Sequence, residues 1–275
     1  MLTNSQAAIL GVIQGLTEFL PISSSAHLVV IPWALNWPQH ENMMAFDVAL
    51  HIGTLLAVVL FFLFDWLMIC ATYIGDLRQK NWKGSKTGSL LPKIALATIP
   101  AAIAGKLFEE HIEAFFYDNQ ANIWMLGITM SLFGGALLLA EKRGKQTRTE
   151  KEISYRDALL IGCFQAMALI PGTSRSGITI LGALVLGLTR PAAAKFSFLV
   201  ALPITFGAVV LKSRDLAGTE NWMPLIIGIG TSAIVGMIAI KGLLHYVQHR
   251  SYAIFAWYRF AFAAGLLALY YSRMQ

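Results

Sequence analysis

The sequence predicts an all-α polytopic membrane protein with an inverted-topology repeat: six long transmembrane helices plus two re-entrant helix-turn-helix hairpins meeting near the midplane. Three observations carry this prediction. The 275 residues are 56% hydrophobic and 13% charged, against roughly 45–50% and 25% for a soluble domain. Six stretches, about 45–70, 90–108, 122–141, 194–212, 222–241 and 253–272, are long and apolar enough to cross a hydrocarbon core of about 30 Å. The chain also repeats itself, which divides a single integral membrane domain, 1–275, into two copies of about 1–141 and 156–275.

The first element is a broken pair of apolar segments at about 6–35, and the second copy opens on its counterpart at 157–188. Placing "GVIQGLTEFLPISSSAHL" (11–28) above "GCFQAMALIPGTSRSGIT" (162–179) pairs Gly11 with Gly162 and Gln14 with Gln165. After a one-residue gap it pairs Pro21 with Pro171 and Ser24 with Ser174. Each broken pair is too short and too interrupted to cross a bilayer twice. Irregular backbone at membrane depth is tolerated only where it is buried in protein or lines a watery cavity. Both pairs therefore read as re-entrant hairpins, one from each face.

The long spans follow in order. "TLLAVVL" (54–60) in the first span matches "TFGAVVL" (205–211) at the same offset, and "IALATIPAAIAG" (94–105) faces "IIGIGTSAIVG" (226–236). Three spans per copy force the two copies into opposite orientations, an architecture common among transporters. The charges agree with it. With the N-terminus outside, fifteen Lys and Arg fall on inner loops and flanks, including Arg78, Lys80, Lys83 and Lys86, then Lys142 to Arg156. Only Lys106, Lys212, Arg214 and Arg273 fall outside, beside an acidic loop with Glu109, Glu110, Glu113 and Asp118. This is the positive-inside bias, so the net charge of +6 is topological and no nucleic-acid partner is expected. No cleavable signal peptide is read at the start. Cys70 and Cys163 sit in or beside apolar segments and read as small hydrophobes, not as a disulfide framework.

An ionisable group at membrane depth costs roughly 2.5–3.5 kcal/mol even on lenient scales, so it is a functional hypothesis by default. Glu18 and Arg175 stand out, because the inverted repeat brings them together from opposite hairpins. In "PGTSRSGIT", Gly172 allows close backbone approach, the following helix offers free N–H groups, and Thr173, Ser174, Ser176 and Thr179 add hydroxyls. With the guanidinium of Arg175 this makes a phosphate site. Serines capping a buried helix end is the bland alternative, and it leaves the arginine unexplained.

Gln14 and Glu18 lie four apart on one helix face. Their oxygens suit a hard divalent cation, Mg²⁺ or Ca²⁺, with water and phosphate completing the shell; a helix–helix hydrogen bond is the alternative for Gln14. Ser24 and His27 lie three apart on the next helix, the spacing of a hydroxyl and an activating imidazole. Asp47 and His51 share a face and either line the cavity or bond to each other. Arg259 is expected to snorkel to the inner interface beside Trp257 and Tyr258, and His40, His111, His245 and His249 read as structural.

"GVIQGLTEFLPISSSAH" resembles the (E/Q)-x-x-x-E region of the bacterial undecaprenyl-diphosphatase family, the bacitracin-resistance proteins. "PGTSRSGIT" is similar to that family's P-G-x-S-R-S-x-x-T motif at every fixed position. The resemblance covers essentially the whole chain, including "FSFLVALPI" and "YRF". It implies a multi-pass enzyme of the bacterial inner membrane that hydrolyses a C55 isoprenoid diphosphate to the monophosphate carrier lipid and inorganic phosphate. It also implies a divalent cation and a site opening to the periplasm. By matched position, Gln14 and Glu18 are the acidic motif and metal ligands, and Ser24 and His27 are the hydroxyl and imidazole that follow. Gly172, Thr173, Ser174, Arg175, Ser176 and Thr179 form the phosphate loop. Glu18, Ser24, His27 and Arg175 are the catalytic candidates, with serine attack and direct water attack both open. Gln14 departs from the second glutamate of many relatives. The partners expected are a polyprenyl diphosphate and the bilayer, with a homodimer left open. The alternative function is a polyprenyl-phosphate flippase or other secondary transporter with an anion site.

Overall fold

The computed structural model describes residues 2–37, 43–81, 84–117, 122–216 and 221–275. His40, Lys83 and Asp118, and the side chains of Glu110 and Glu113, lie outside that description. The described residues form helices and connecting turns. They run α1 (Asn4–Phe19), α2 (Ser24–Ala34), α3 (Met43–Phe61), α4 (Leu63–Arg78), α5 (Leu90–Tyr117) and α6 (Trp124–Arg143). These are followed by α7 (Tyr155–Ala166), α8 (Arg175–Val185), α9 (Arg190–Lys212), α10 (Met223–His249) and α11 (Ala253–Met274). Six helices, α3, α5, α6, α9, α10 and α11, are long and apolar enough to cross a membrane. Their outward faces carry large apolar residues such as Leu132, Leu211, Ile238 and Trp257, as a lipid solvent requires. The chain is a multi-pass membrane protein.

The first expected span, 45–70, breaks. α3 ends at Phe61, Phe62 leaves helical geometry at φ −100°, ψ 16°, and α4 starts at Leu63. Phe62 is buried, with its ring against Phe61 and Phe198. Just beyond it, in the first turn of α4, Asp65 pairs with Lys195 at 2.6 Å.

Glycines set how the hairpins seat. A Cβ on Gly11 would lie 1.8 Å from Thr231 Oγ1, and one on Gly15 would lie 2.9 Å from the Gly236 nitrogen and the Ser232 carbonyl. α1 therefore lies directly on the backbone of α10, the close approach that small residues four apart allow. The counterpart helix α7 does the same against α5, where a Cβ on Gly162 would sit 2.6 Å from the Ala97 carbonyl. α6 packs along α11.

Ion pairs at helix ends mark two faces. Arg148 with Asp157, Arg190 with Glu141 and Lys195 with Asp65 join the ends of the basic loops. At the opposite ends of α5 and α9, Glu109 meets Lys212 at 2.6 Å.

Candidate functional site

Both hairpins turn on a serine with left-handed backbone. Ser23 (φ 73°, ψ 97°) caps α2 by accepting from the Ala26 N–H, and Ser174 (φ 71°, ψ 113°) caps α8 by accepting from the Gly177 N–H. Each hydroxyl also lies 3.2 Å from that of the serine two residues on, Ser25 and Ser176. The equivalent residues are therefore Ser23 and Ser174, which moves the sequence pairing of Ser24 with Ser174 by one. Ser24 then occupies the place of Arg175. The second tip has one more residue between proline and cap than the first, so the register of residues 11–14 returns beyond the turn.

That placement aims two different side chains at one carboxylate. Arg175 Nη2 donates to Glu18 Oε1 at 2.5 Å and Ser24 Oγ donates to Glu18 Oε2 at 2.7 Å. Gln14 Nε2 donates to the same Oε2 at 3.1 Å. Glu18 is 8% exposed and the Arg175 side chain 17% exposed. The charges are thus paired out of bulk water, yet neither is sealed. The structure brings together Gln14, Glu18, Ser24 and Arg175.

It does not join Ser24 to His27. His27 Nδ1 lies 2.7 Å from the Ser23 carbonyl and Nε2 lies 2.7 Å from the Tyr258 hydroxyl. The hydroxyls of the expected phosphate loop are also largely committed to partners within the protein. Ser174 caps its helix, Ser176 Oγ donates to the Leu20 carbonyl at 3.2 Å, and Thr179 Oγ1 meets Ser197 Oγ at 2.6 Å. Thr173 Oγ1 is buried and has no partner. Gly172 holds φ 87°, and a Cβ there would lie 2.1 Å from Thr129 Oγ1. The close neighbour that excludes a side chain at Gly172 is therefore α6, whose Thr129 donates to the Pro171 carbonyl at 2.7 Å.

Arg259 does not snorkel to the interface. It is 1% exposed and donates to the carbonyls of Met130, Pro21, Gly172 and Thr173 at 3.1, 3.4, 2.7 and 2.9 Å. The two turns leave carbonyls without helical partners, and such groups are costly unless satisfied inside the protein. One guanidinium therefore clamps both tips. Sequence reasoning sent Arg259 to the interface and gave Tyr258 no role at the tips, although the rule that singled out Glu18 and Arg175 applies equally to a charge at position 259.

A cavity of about 520 Å³ at the Glu109–Lys212 end is lined by Asp47, His51, Lys106, Glu109 and Lys212 among apolar residues of α3, α5 and α9. His51 Nδ1 lies 2.8 Å from the Asp47 carbonyl. The same two helices, α3 and α9, line a narrow space one to two turns deeper that reaches Phe19 and Arg175.

The sequence profile of the bacitracin resistance protein BacA family matches residues 7–265. An undecaprenyl-diphosphatase of Geobacter sulfurreducens is 46% identical over 271 residues, covering 97% of this chain and 98% of that protein. One of Trichlorobacter lovleyi is 45% identical over 267 residues, covering 96% of each. One of Moorella thermoacetica is 41% identical over 272 residues, covering 99% of this chain and all of that one.

Proposed function

The chain belongs to the bacitracin resistance protein BacA family, and we propose that its two hairpin tips form the active site of an undecaprenyl-diphosphatase. The enzyme hydrolyses undecaprenyl diphosphate to undecaprenyl phosphate and inorganic phosphate. The observation that carries the reading is the convergence of Ser24 and Arg175 on the two oxygens of Glu18. A carboxylate accepting from a hydroxyl is a base beside a nucleophile. A guanidinium next to them has further donors for phosphate oxygens.

In this mechanism Arg175 forks onto the terminal phosphate while keeping its contact to Glu18. Ser24 Oγ attacks phosphorus in line, its proton passes to Glu18, and the bond to the bridging oxygen breaks, releasing undecaprenyl phosphate. Water then cleaves the phosphoserine to inorganic phosphate and restores Ser24. Charge stabilisation at the phosphoryl group supplies most of the rate. The N-terminus of α8 adds its dipole to the same end of the site.

A divalent cation suits the donor set. Gln14 Oε1 is buried without a partner beside Glu18, an orphaned hard oxygen of the kind Mg²⁺ or Ca²⁺ takes. Gln14 and Glu18 would hold the ion, with phosphate and water as its other ligands. When bound it would supply a positive charge to offset that of the diphosphate. Gln14 itself positions Glu18 through its N–H and cannot act as a base.

The concentration of Lys and Arg on the basic loops supports a cytoplasmic location for the basic face. The cavity at the Glu109–Lys212 end then opens to the periplasm of the inner membrane, and the hairpins are re-entrant, one from each face of two inverted repeats. A diphosphate headgroup enters from the outer side while its isoprenoid chain stays in lipid. Release of inorganic phosphate from undecaprenyl diphosphate by the purified chain in detergent tests this reading. Transport has no compartments there, so phosphate release supports the hydrolase and its absence contradicts it.

A further inference from the structure

His27 is 3% exposed and both of its ring nitrogens are engaged. The oxygen facing Nδ1 is the Ser23 carbonyl, which can only accept, so Nδ1 carries the proton. The neutral ring then has its lone pair on Nε2, and the Tyr258 hydroxyl 2.7 Å away must donate to it. Neither bond is easily turned. The Ser23 carbonyl belongs to the left-handed cap of α2. The imidazole lies nearly parallel to the Tyr258 ring, at 11°, and leans on Phe262 with centroids 4.3 Å apart.

The Ser24 hydroxyl meanwhile donates to Glu18. Two polar contacts thus leave the start of α2 in different directions, Ser24 to Glu18 and His27 to Tyr258. Tyr258 is 42% exposed, so its phenol stands between the buried imidazole and the outside of the protein. Its neighbour Arg259 is the charged group of α11 that faces the same turn.

We propose that Tyr258 is a positioning residue for the hydrolysis: the Ser23 carbonyl fixes the Nδ1–H tautomer of His27, and the Tyr258 hydroxyl holds the Nε2 lone pair turned toward the phenol. This rests on His27 contributing to the reaction, as implied by its place in the family motif. Ser24 is served by Glu18 alone. His27 faces the phenol, and the Tyr258 hydroxyl holds Nε2 there.

Tyr258→Phe keeps the stacked ring and deletes the hydroxyl, so it separates this role from packing. The test is phosphate release by the full chain in detergent, together with ¹⁵N resonances of labelled histidine. Tyr258→Phe is expected to lower kcat about five- to tenfold, the size of one neutral hydrogen bond, with KM within about twofold. The Nε2 resonance of His27 should move, and adding Tyr258→Phe to His27→Gln should cause no further loss. Wild-type kcat with an unmoved Nε2 resonance in Tyr258→Phe overturns the proposal. So do losses that multiply in the double variant, because they would mean that the two residues act separately. Wild-type rates in His27→Gln overturn instead the premise that His27 contributes.

Discussion

Glu18 and Arg175 stand 157 positions apart in the chain and meet at 2.5 Å where the two hairpin tips touch. Neither charge would be stable alone when buried to this extent, so the pair ties the first hairpin to the second. It also leaves each partner a reason to be present beyond stability, since Ser24 and Gln14 bond to the same carboxylate.

Removing the carboxylate should remove the chemistry first. Glu18→Gln keeps the shape of the side chain and its ability to bond Ser24, but not the base or an anionic metal ligand. The expected outcome is a loss of phosphate release of about 100-fold or more, with the protein still monodisperse in detergent. Activity at wild-type level across metal concentrations contradicts the assignment.

Gln14→Glu sets a second carboxylate next to Glu18 in place of the amide that donates to it, so a cation is needed between the two. Half-maximal activation by Mg²⁺ is expected at lower concentration, since an anionic oxygen binds a hard cation better than an amide. Chelation of the wild-type chain should bring phosphate release to background, restored by Mg²⁺ or Ca²⁺. Full activity in excess chelator contradicts a metal at this site.

Ser24→Ala distinguishes serine attack from water attack. With serine as nucleophile the variant is inactive. A residual rate reduced only by the loss of one hydrogen bond, roughly 0.5–1.5 kcal/mol, means that water attacks directly and Ser24 only orients Glu18.

Arg259→Lys should unfold before it inactivates. Lysine cannot reach the Met130, Pro21, Gly172 and Thr173 carbonyls together, and a bond to a charged donor is worth about 1.5–3 kcal/mol. A fall in the melting temperature in detergent is expected, with turnover lost in parallel on warming. An unchanged melting temperature contradicts the clamp.

The sequence made the spans and the approach of Glu18 to Arg175 readable because each depends on residue type at a spacing. Apolar length marks the six spans, and a carboxylate or guanidinium inside apolar chain marks Glu18 and Arg175. The register of the tips was not readable. In Ser23–Ser24–Ser25 three identical side chains sit in a row, and only the left-handed backbone of Ser23 shows which one caps the helix. The break at Phe62 was hidden for the opposite reason, since apolar residues continue on both sides of it. The contacts of His27 to Tyr258 and of Arg259 to the turn carbonyls were out of reach because their partners lie 86 to 238 residues away, and no local pattern encodes a contact across such a distance.

The central claim is that tips from both halves make one phosphate site, and Arg175→Lys tests it most directly. The substitution retains the charge that balances Glu18 but loses the planar fork for two phosphate oxygens. Phosphate release from undecaprenyl diphosphate should fall on the order of 100-fold, as for a lost oxyanion donor, in a protein that remains folded. Near-normal release by Arg175→Lys would mean that the second hairpin does not hold the substrate, and the single-site account would be wrong.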